Sequence, residues 1–466
     1  MIPITIFKGR EVALFGLGGS GLATAKALQA GGARVDVWDD SLERVDAALD
    51  AGLDAIDLHD ADFSRYAAVV VAPGVPLTHP EPHWVVKAAK AEGVDVIGDI
   101  ELFNLEREAV CPEAAFVAIT GTNGKSTTTA LIAHILQSAG MDVQMGGNIG
   151  RPVLDLDPFS EDRVYVVECS SYQIDLAPSL TPDVGILLNL SPDHLDRHGT
   201  LENYAAIKER LVKGSRLAVV GVDDELCAAI AGRLEEKDAA VERISCINTV
   251  KNGVYAQGSA LFESVEGESL EAAELAGILS LRGSHNAQNA AAALSTAAAL
   301  GLGMEEIQEG LKSFPGLAHR LKLVGQHGHV LFVNDSKATN AEATAHALAS
   351  FDRIYWLAGG RQKSGGIESL REYFPKVAKA YFFGEAADDF AKTVEGQMDC
   401  QTFGGLDEAV TAASREAATD KCVEVAVLLS PACASFDQYA NFEIRGDAFE
   451  AVSQKCLRLL AQGGEA

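Results

Sequence analysis

The stretch Phe116-Val-Ala-Ile-Thr-Gly-Thr-Asn-Gly-Lys-Ser-Thr-Thr-Thr129 constrains the fold more than any other part of the chain. An apolar, β-branched run from Phe116 to Ile119 meets Gly121-Thr122-Asn123-Gly124-Lys125-Ser126-Thr127. A helical pattern, Ala130-Leu-Ile-Ala-His-Ile-Leu136, follows at once. Strand, glycine loop and helix in that order cradle phosphates. The loop N–H groups and the positive helix end face the anion, Lys125 neutralises outer phosphates, and Ser126 can hold Mg²⁺. The longer form of this loop carries a glycine five residues before the second one, where this chain has Ile119. The loop implies ATP or GTP, hence hydrolysis or an energy-coupled reaction.

Short β-rich runs alternate with helical patterns along nearly the whole chain, which predicts an α/β protein built on parallel sheets. Its 466 residues suffice for about three domains. Strands are expected at 12–15, 67–71, 164–167, 184–188, 330–333, 354–357, 381–383 and 425–429, and a helix ends near Ser313. Phe314-Pro315-Gly316 punctuates the chain. The stretch 239–283 reads as less regular, with Asn252-Gly253 as a hairpin turn. A net charge of −28 argues against nucleic acid or an anionic membrane as partner. Eight scattered cysteines without metal-ligand spacing read as reduced thiols. No signal-peptide layout or membrane-length apolar run is present, so the expectation is a cytoplasmic protein without membrane insertion, treated as a monomer.

Gly16-Leu17-Gly18-Gly19-Ser20-Gly21 follows a strand and opens a helix, and Asp36 and Asp39 close the next strand. This is the dinucleotide fingerprint. It encodes only a tight turn and a helix N-terminus offered to a diphosphate, which a UDP-linked substrate carries as well as NAD does. The ATP loop downstream favours the former. Ala72-Pro73-Gly74 offers a second glycine turn beside the same crevice.

Two further strand ends carry metal chemistry. One leads into Glu168-Cys-Ser-Ser-Tyr-Gln173, the other into Asn189-Leu-Ser-Pro-Asp193-His194-Leu-Asp196. In open α/β sheets ligands gather at these edges, so Glu168 and His194 are placed with Ser126 around a cation. Lys208, in Tyr204-Ala-Ala-Ile-Lys208, reads by itself as a solvated helix lysine.

In chain order, GTNGKST, Gly146-Gly-Asn148-Ile-Gly150, ECSSYQ, DHLDRHG from Asp193 to Gly199 and HNAQN from His285 to Asn289 resemble the central domain of the Mur ligases. These are ATP-dependent, amide-forming enzymes of peptidoglycan synthesis. Gly316-Leu-Ala-His-Arg320, Asn334-Asp335-Ser-Lys337-Ala-Thr-Asn340 and the string from Leu429 to Phe442 resemble the D-glutamate-adding branch. The resemblance implies three domains. A Rossmann-like domain for the UDP substrate spans 1–108, and a central P-loop ATPase-like domain with a mostly parallel sheet spans 109–315. A C-terminal Rossmann-like domain, 316–466, takes D-glutamate and closes on ATP.

The resemblance also implies roles. Gly121 to Thr127 hold the phosphates, and Asn289, Arg320 and Asp335 surround adenine and ribose. Ser126 and Glu168 hold one Mg²⁺, and His194 helps hold a second. Lys208 matches a lysine that becomes a carbamate beside the metals. Gly19, Ser20, Asp39, Gly74 and Asn148 face the UDP-muramoyl substrate, while Lys337, Lys363, Ser364, Ser435 and Phe442 form the D-glutamate pocket. Lysine ammonium and hydroxyl donors suit a ligand with two carboxylates.

The implied reaction is ATP-dependent ligation of D-glutamate to UDP-N-acetylmuramoyl-L-alanine through an acyl phosphate. It would place the chain in cell-wall synthesis and so in cell shape and division. Two departures stand out: Arg361, where relatives often carry an acid, and Asp39-Asp40-Ser41, where a relative offers arginine to the nucleotide. A sibling ligase, a nicotinamide-dependent oxidoreductase and a non-catalytic nucleotide binder remain the alternatives at this point.

Overall fold

A computed structural model of the chain describes residues 1–362 and 365–462. They form two compact units, residues 1–276 with 287–313, and residues 277–286 with 314–466.

The first unit holds two sheets. In the N-terminal one, strands β1 (Glu11–Phe15), β2 (Arg34–Trp38), β3 (Asp54–Ala55), β4 (Val69–Val71) and β5 (Val96–Ile97) lie parallel in the order β3-β2-β1-β4-β5. The second sheet comprises β6 (Ala115–Thr120), β7 (Asp142–Gly147), β8 (Arg163–Glu168), β9 (Val184–Leu187), β10 (Leu217–Gly221), β11 (Val241–Ser245), β12 (Gly253–Gln257), β13 (Ala260–Val265) and β14 (Glu268–Glu274). Their order is β14-β13-β12-β11-β10-β9-β6-β8-β7, parallel from β12 to β7 and antiparallel at the other edge. Strands covered on both faces need continuous apolar runs, and Phe116 to Ile119 and Val164 to Val167 are all at most 2% exposed.

Chain order reverses around β1 and around β6, which puts the loops leaving those strands at the crevices where α/β sheets take ligands.

The second unit holds a six-stranded sheet of β15 (Lys322–His327), β16 (Val330–Asn334), β17 (Ile354–Gly359), β19 (Val377–Phe383), β20 (Cys400–Phe403) and β21 (Val425–Leu429). A small antiparallel pair is made by β18 (Arg361–Gln362) and β22 (Cys433–Ala434). The large sheet runs β15-β16-β21-β17-β19-β20 and is parallel except for β15. Trp356, Phe382 and Phe390 fill one face of its core. The helix Phe442–Ala461 starts at the Asn441 cap, whose side chain accepts the Ile444 N–H.

The expected strands form within a residue or two of their sequence limits, except that β19 begins four residues earlier, at Val377. The stretch 239–283 departs from its reading. It contains four strands, and Asn252-Gly253 is not the hairpin turn. The Asn252 carbonyl accepts the Arg243 N–H and starts the parallel pairing of β12 on β11. Gly253 has φ +123°, and a Cβ there would sit 2.1 Å from the Arg243 carbonyl oxygen. The glycine therefore answers to close backbone approach, not to a turn. The two-residue turns lie at Gly258-Ser259, between β12 and β13, and at Glu266-Gly267, between β13 and β14, where both residues have positive φ. Among the described residues no helix is long and apolar enough to cross a membrane.

Candidate active site

The phosphate loop leaves β6 through Gly121 at φ +151° and enters the helix Lys125–Ser138 through Gly124 at φ +84°. A Cβ on Gly124 would meet Asn289 Oδ1 at 2.4 Å. Both glycines are thus required by the backbone. Ile119 is a fully buried residue of β6, so the loop begins only after it. Lys125 Nζ donates to the Gly121 and Thr122 carbonyls at 2.9 and 2.8 Å, placing its charge over the loop. Ser126 is buried in the first turn beside the half-buried Thr127. Thr128 Oγ1 donates to Asn289 Oδ1 at 3.0 Å, which brings the HNAQN segment to this loop.

One residue without a role in the sequence reading holds the loop from the far side. Asn189, just past β9, accepts the Asn123 N–H at 2.8 Å through its side-chain oxygen and donates to the Asn123 carbonyl at 3.2 Å.

Glu168 is the last residue of β8 and 2% exposed. Its Oε1 accepts the Asn148 side-chain amide at 2.7 Å, and its carbonyl accepts the Asn148 N–H at 2.8 Å. Gly147 permits this approach, since a Cβ there would lie 2.4 Å from the Glu168 carbonyl oxygen. Oε2 is buried and has no hydrogen-bond donor among the described residues. A buried carboxylate with one orphaned oxygen, at the same sheet edge as Ser126, fits a hard divalent cation.

His194 stands at φ +53°, a left-handed conformation that side chains seldom adopt. Its Nδ1 is hydrogen-bonded to the Tyr172 hydroxyl at 2.9 Å, and its Nε2 lies 3.3 Å from Asp193. His198 sits between Tyr172 and Tyr204, and burial lowers its pKa to about 4, so it is neutral.

Lys208 overturns its reading as a solvated lysine. It is 1% exposed on the helix Leu201–Lys213, and its Nζ donates to Thr120 Oγ1 at 3.0 Å and to the Gly121 carbonyl at 2.8 Å. Burial, reinforced by the nearby Lys125 charge, drives its pKa well below the usual lysine value. An amine whose charged form is disfavoured is therefore held at the end of β6.

At the N-terminal crevice, Gly16 has φ +98°, and a Cβ there would lie 2.6 Å from the Ala72 Cβ. One on Gly21 would lie 1.8 Å from the Gly16 carbonyl oxygen. Gly19 and Ser20 form the first turn of the helix Gly19–Ala30, and Gly74 occupies the turn after β4. Asp39 closes the glycine turn: Oδ2 accepts the Leu17 N–H at 2.7 Å and Oδ1 the Ser41 N–H at 2.8 Å. Burial alone would raise its pKa, but these donors and Arg44 hold it below the usual value. Asp36 pairs with Arg65 and Tyr66.

In the second unit, Arg320 lies between His319 and Leu321, both at positive φ. Asp335 accepts the Leu321 N–H at 3.2 Å and the Ser430 hydroxyl at 2.8 Å. Burial raises its pKa to about 7. Lys337 Nζ lies 3.9 Å from the centroid of the Phe442 ring. The fully buried Arg445 donates to Ser336 Oγ at 3.0 Å and to the Ser336 carbonyl at 2.8 Å, tying the segment bearing Lys337 to the helix that begins at Phe442. Ser435 is buried just after β22. Arg361, the departure noted in sequence, pairs in a fork with Glu385 at 3.0 and 3.1 Å. Lys363 and Ser364 lie outside the described residues.

Comparison with known proteins bears on the family. The family model described as "Mur ligase middle domain" matches residues 119–297, and "Mur ligase, glutamate ligase domain" matches 319–433. UDP-N-acetylmuramoylalanine–D-glutamate ligases from Chelativorans sp. (strain BNC1) and Brucella abortus (strain 2308) are each 60% identical, over 96% of this chain and 96% of their own. That from Agrobacterium fabrum is 60% identical over 97% of this chain and 96% of its own. Among solved structures, the UDP-N-acetylmuramate–alanine ligase of Thermotoga maritima has a TM-score of 0.56 at 17% identity, covering 96% of this chain and 99% of its own. Likeness at that level shows the α/β fold. Identity of 60% carried from end to end goes further, and on that ground the chain belongs to the Mur ligase family.

Proposed function

We propose that this protein joins D-glutamate to UDP-N-acetylmuramoyl-L-alanine with cleavage of ATP to ADP and phosphate, as a cytoplasmic monomer supplying peptidoglycan precursor. The observation that carries the choice of substrates is the end-to-end identity with relatives bearing that ligase name. The site's chemistry supports the reaction class.

The substrate carboxylate attacks the ATP γ-phosphate to give an acyl phosphate and ADP. The amine of D-glutamate then displaces phosphate from the carbonyl. Phosphoryl transfer asks the protein chiefly for positioning and charge stabilisation. Lys125 and the loop amides meet the phosphates, with the loop braced by Asn189 and Asn289. Ser126 and Glu168 would hold Mg²⁺, with His194 toward a second ion. The bound metal would neutralise charge developing on the phosphoryl oxygens. Asn148 fixes Glu168 through Oε1 and leaves Oε2 for that purpose.

Lys208 is suited to carbamate formation, because only an unprotonated amine adds carbon dioxide and burial favours that form. The modification would turn that amine into an anion at the end of β6. Gly19, Ser20 and Gly74 would receive the diphosphate of the UDP substrate and Asp39 its ribose, and Arg320 and Asp335 the nucleoside of ATP. Lys337, Ser435 and Phe442, with Lys363 and Ser364, would receive D-glutamate. The working limits of the three domains are 1–108, 109–315 and 316–466, and the last closes on ATP. Solution scattering with and without all substrates tests the closure.

ADP release measured against each substrate separately tests the whole reading. The expected result is turnover only when the UDP-muramoyl-alanine and D-glutamate are both present. Equal turnover with another amino acid would move the chain to a sibling activity, and no turnover would end the proposal.

A further inference from the structure

Within the first unit, the short helix Leu195–His198 touches the N-terminal crevice through one side chain. Arg197 Nη1 donates to the Gly74 carbonyl at 2.7 Å, and Nη2 donates to the Val75 carbonyl at 3.1 Å and the Pro73 carbonyl at 3.5 Å. Three successive carbonyls of the turn after β4 therefore converge on one guanidinium. Its planar fork of five donors suits that task, and a lysine's point charge does not.

The guanidinium carbon lies over the ring of Tyr172, 4.6 Å from its centroid, and the Tyr172 hydroxyl is the partner of His194 Nδ1 at 2.9 Å. Tyr172 lies four residues past Glu168, on the helix Ser171–Asp175. A second contact fixes the same pair of segments: at Gly199, φ +78°, a Cβ would lie 2.8 Å from His79 Nε2. The Pro73 carbonyl and the Gly74 N–H share a peptide plane and point in opposite directions, so turning that carbonyl toward Arg197 turns the amide away from it. The Gly74 N–H has no acceptor among the described residues.

We propose that Arg197 is a positioning residue that locks the 73–75 turn, aims its amide at the diphosphate of the UDP substrate, and sets that turn in register with His194 through Tyr172. The inference rests on the function proposed above for the substrate it names; the link itself stands on the contacts. Two binding regions on different sheets must agree for the muramoyl carboxylate to reach the phosphoryl group. A misplacement of about 1 Å there costs on the order of a hundredfold in rate.

Steady-state kinetics on the full chain test it. Arg197→Ala is expected to raise KM for UDP-muramoyl-alanine about tenfold and to lower kcat about tenfold or more, with KM for ATP changed by less than about twofold. Arg197→Lys, able to hold one carbonyl, recovers part of both losses. Tyr172→Phe keeps the ring under the guanidinium but removes the hydroxyl from His194, so it lowers kcat and leaves KM for the UDP substrate unchanged. An unchanged KM for the UDP substrate in Arg197→Ala, or an equal rise in KM for ATP, overturns the proposal.

Amide exchange on the substrate-free protein gives a readout independent of the reaction. The Val75 amide, bonded to the Ala72 carbonyl, exchanges about tenfold faster in Arg197→Ala and by a smaller factor in Arg197→Lys, while the loop 122–128 keeps its protection. Unaltered exchange at Val75 also overturns it. Failure of the wild type to form ADP, with the exchange result intact, would sink the proposed function and leave the link standing.

Discussion

Asp335 gives the second unit a pH dependence whose sign and size follow from its surroundings. The carboxyl is 7% exposed at the end of β16, and its two oxygens accept the Leu321 N–H and the Ser430 hydroxyl. Burial dominates these donors and raises its pKa from 3.8 to about 7. Below the unfolded value both states hold the proton, and above the folded value neither does. Between pH 4 and 7 the folded chain keeps a proton that the unfolded chain has released. Stability therefore falls as pH rises through that window. A shift of about three units corresponds to at most about 4 kcal/mol, and relaxation around the ionised group reduces this to roughly 2–4 kcal/mol.

Asp335→Asn removes the titration while keeping a carbonyl oxygen for the Leu321 N–H and an amide for Ser430. Urea unfolding read from Trp356, fully buried in the same unit, measures the effect in a background carrying Phe at positions 38 and 84. The stability difference between Asp335→Asn and its parent is expected to be small near pH 4. By pH 7.5 it should favour the Asn variant by roughly 2–4 kcal/mol. A difference that stays flat across that range, or that favours Asp335 as pH rises, would refute the reasoning.

Other consequences concern the first unit. Lys208→Met keeps the buried volume and removes the amine, so ADP release should fall by about a hundredfold or more while the thermal midpoint is unchanged or raised; retention of a tenth of the activity would refute the role given to Lys208. Gly124→Ala puts a Cβ 2.4 Å from Asn289 Oδ1 at φ +84°, and calorimetric titration should find ATP affinity lower by about tenfold or more. Asn148→Ala strips Glu168 Oε1 of its side-chain donor, and unfolding should become easier by about 1–3 kcal/mol in the absence of metal.

Side-chain chemistry was legible in the sequence wherever its cause is local. The run Phe116 to Ile119 had to be a strand covered on both faces, and the glycines after it had to form a turn, because each follows from residue type alone. Arg197 was unreadable for a physical reason: its partners are backbone carbonyls about 120 residues away, and a carbonyl leaves no mark on residue identity. Asn189 escaped in the same way, since what it grips is the main chain of Asn123.

Lys208 is the instructive intermediate. Tyr204, Ile207, Leu211 and Val212 are all buried on its helix, and Lys208 sits at i+4 from the first and i−3 from the third. Helical periodicity alone assigns it to the apolar face, where a lysine is either neutral or paired. The reading as a solvated lysine weighed residue type above position, although position was the stronger constraint. Gly253 carries the same lesson from the other side, because Asn-Gly composition suggested a turn while the position required close approach to Arg243. In this chain residue type nominated the candidates for the site, and position within an element decided what held each of them.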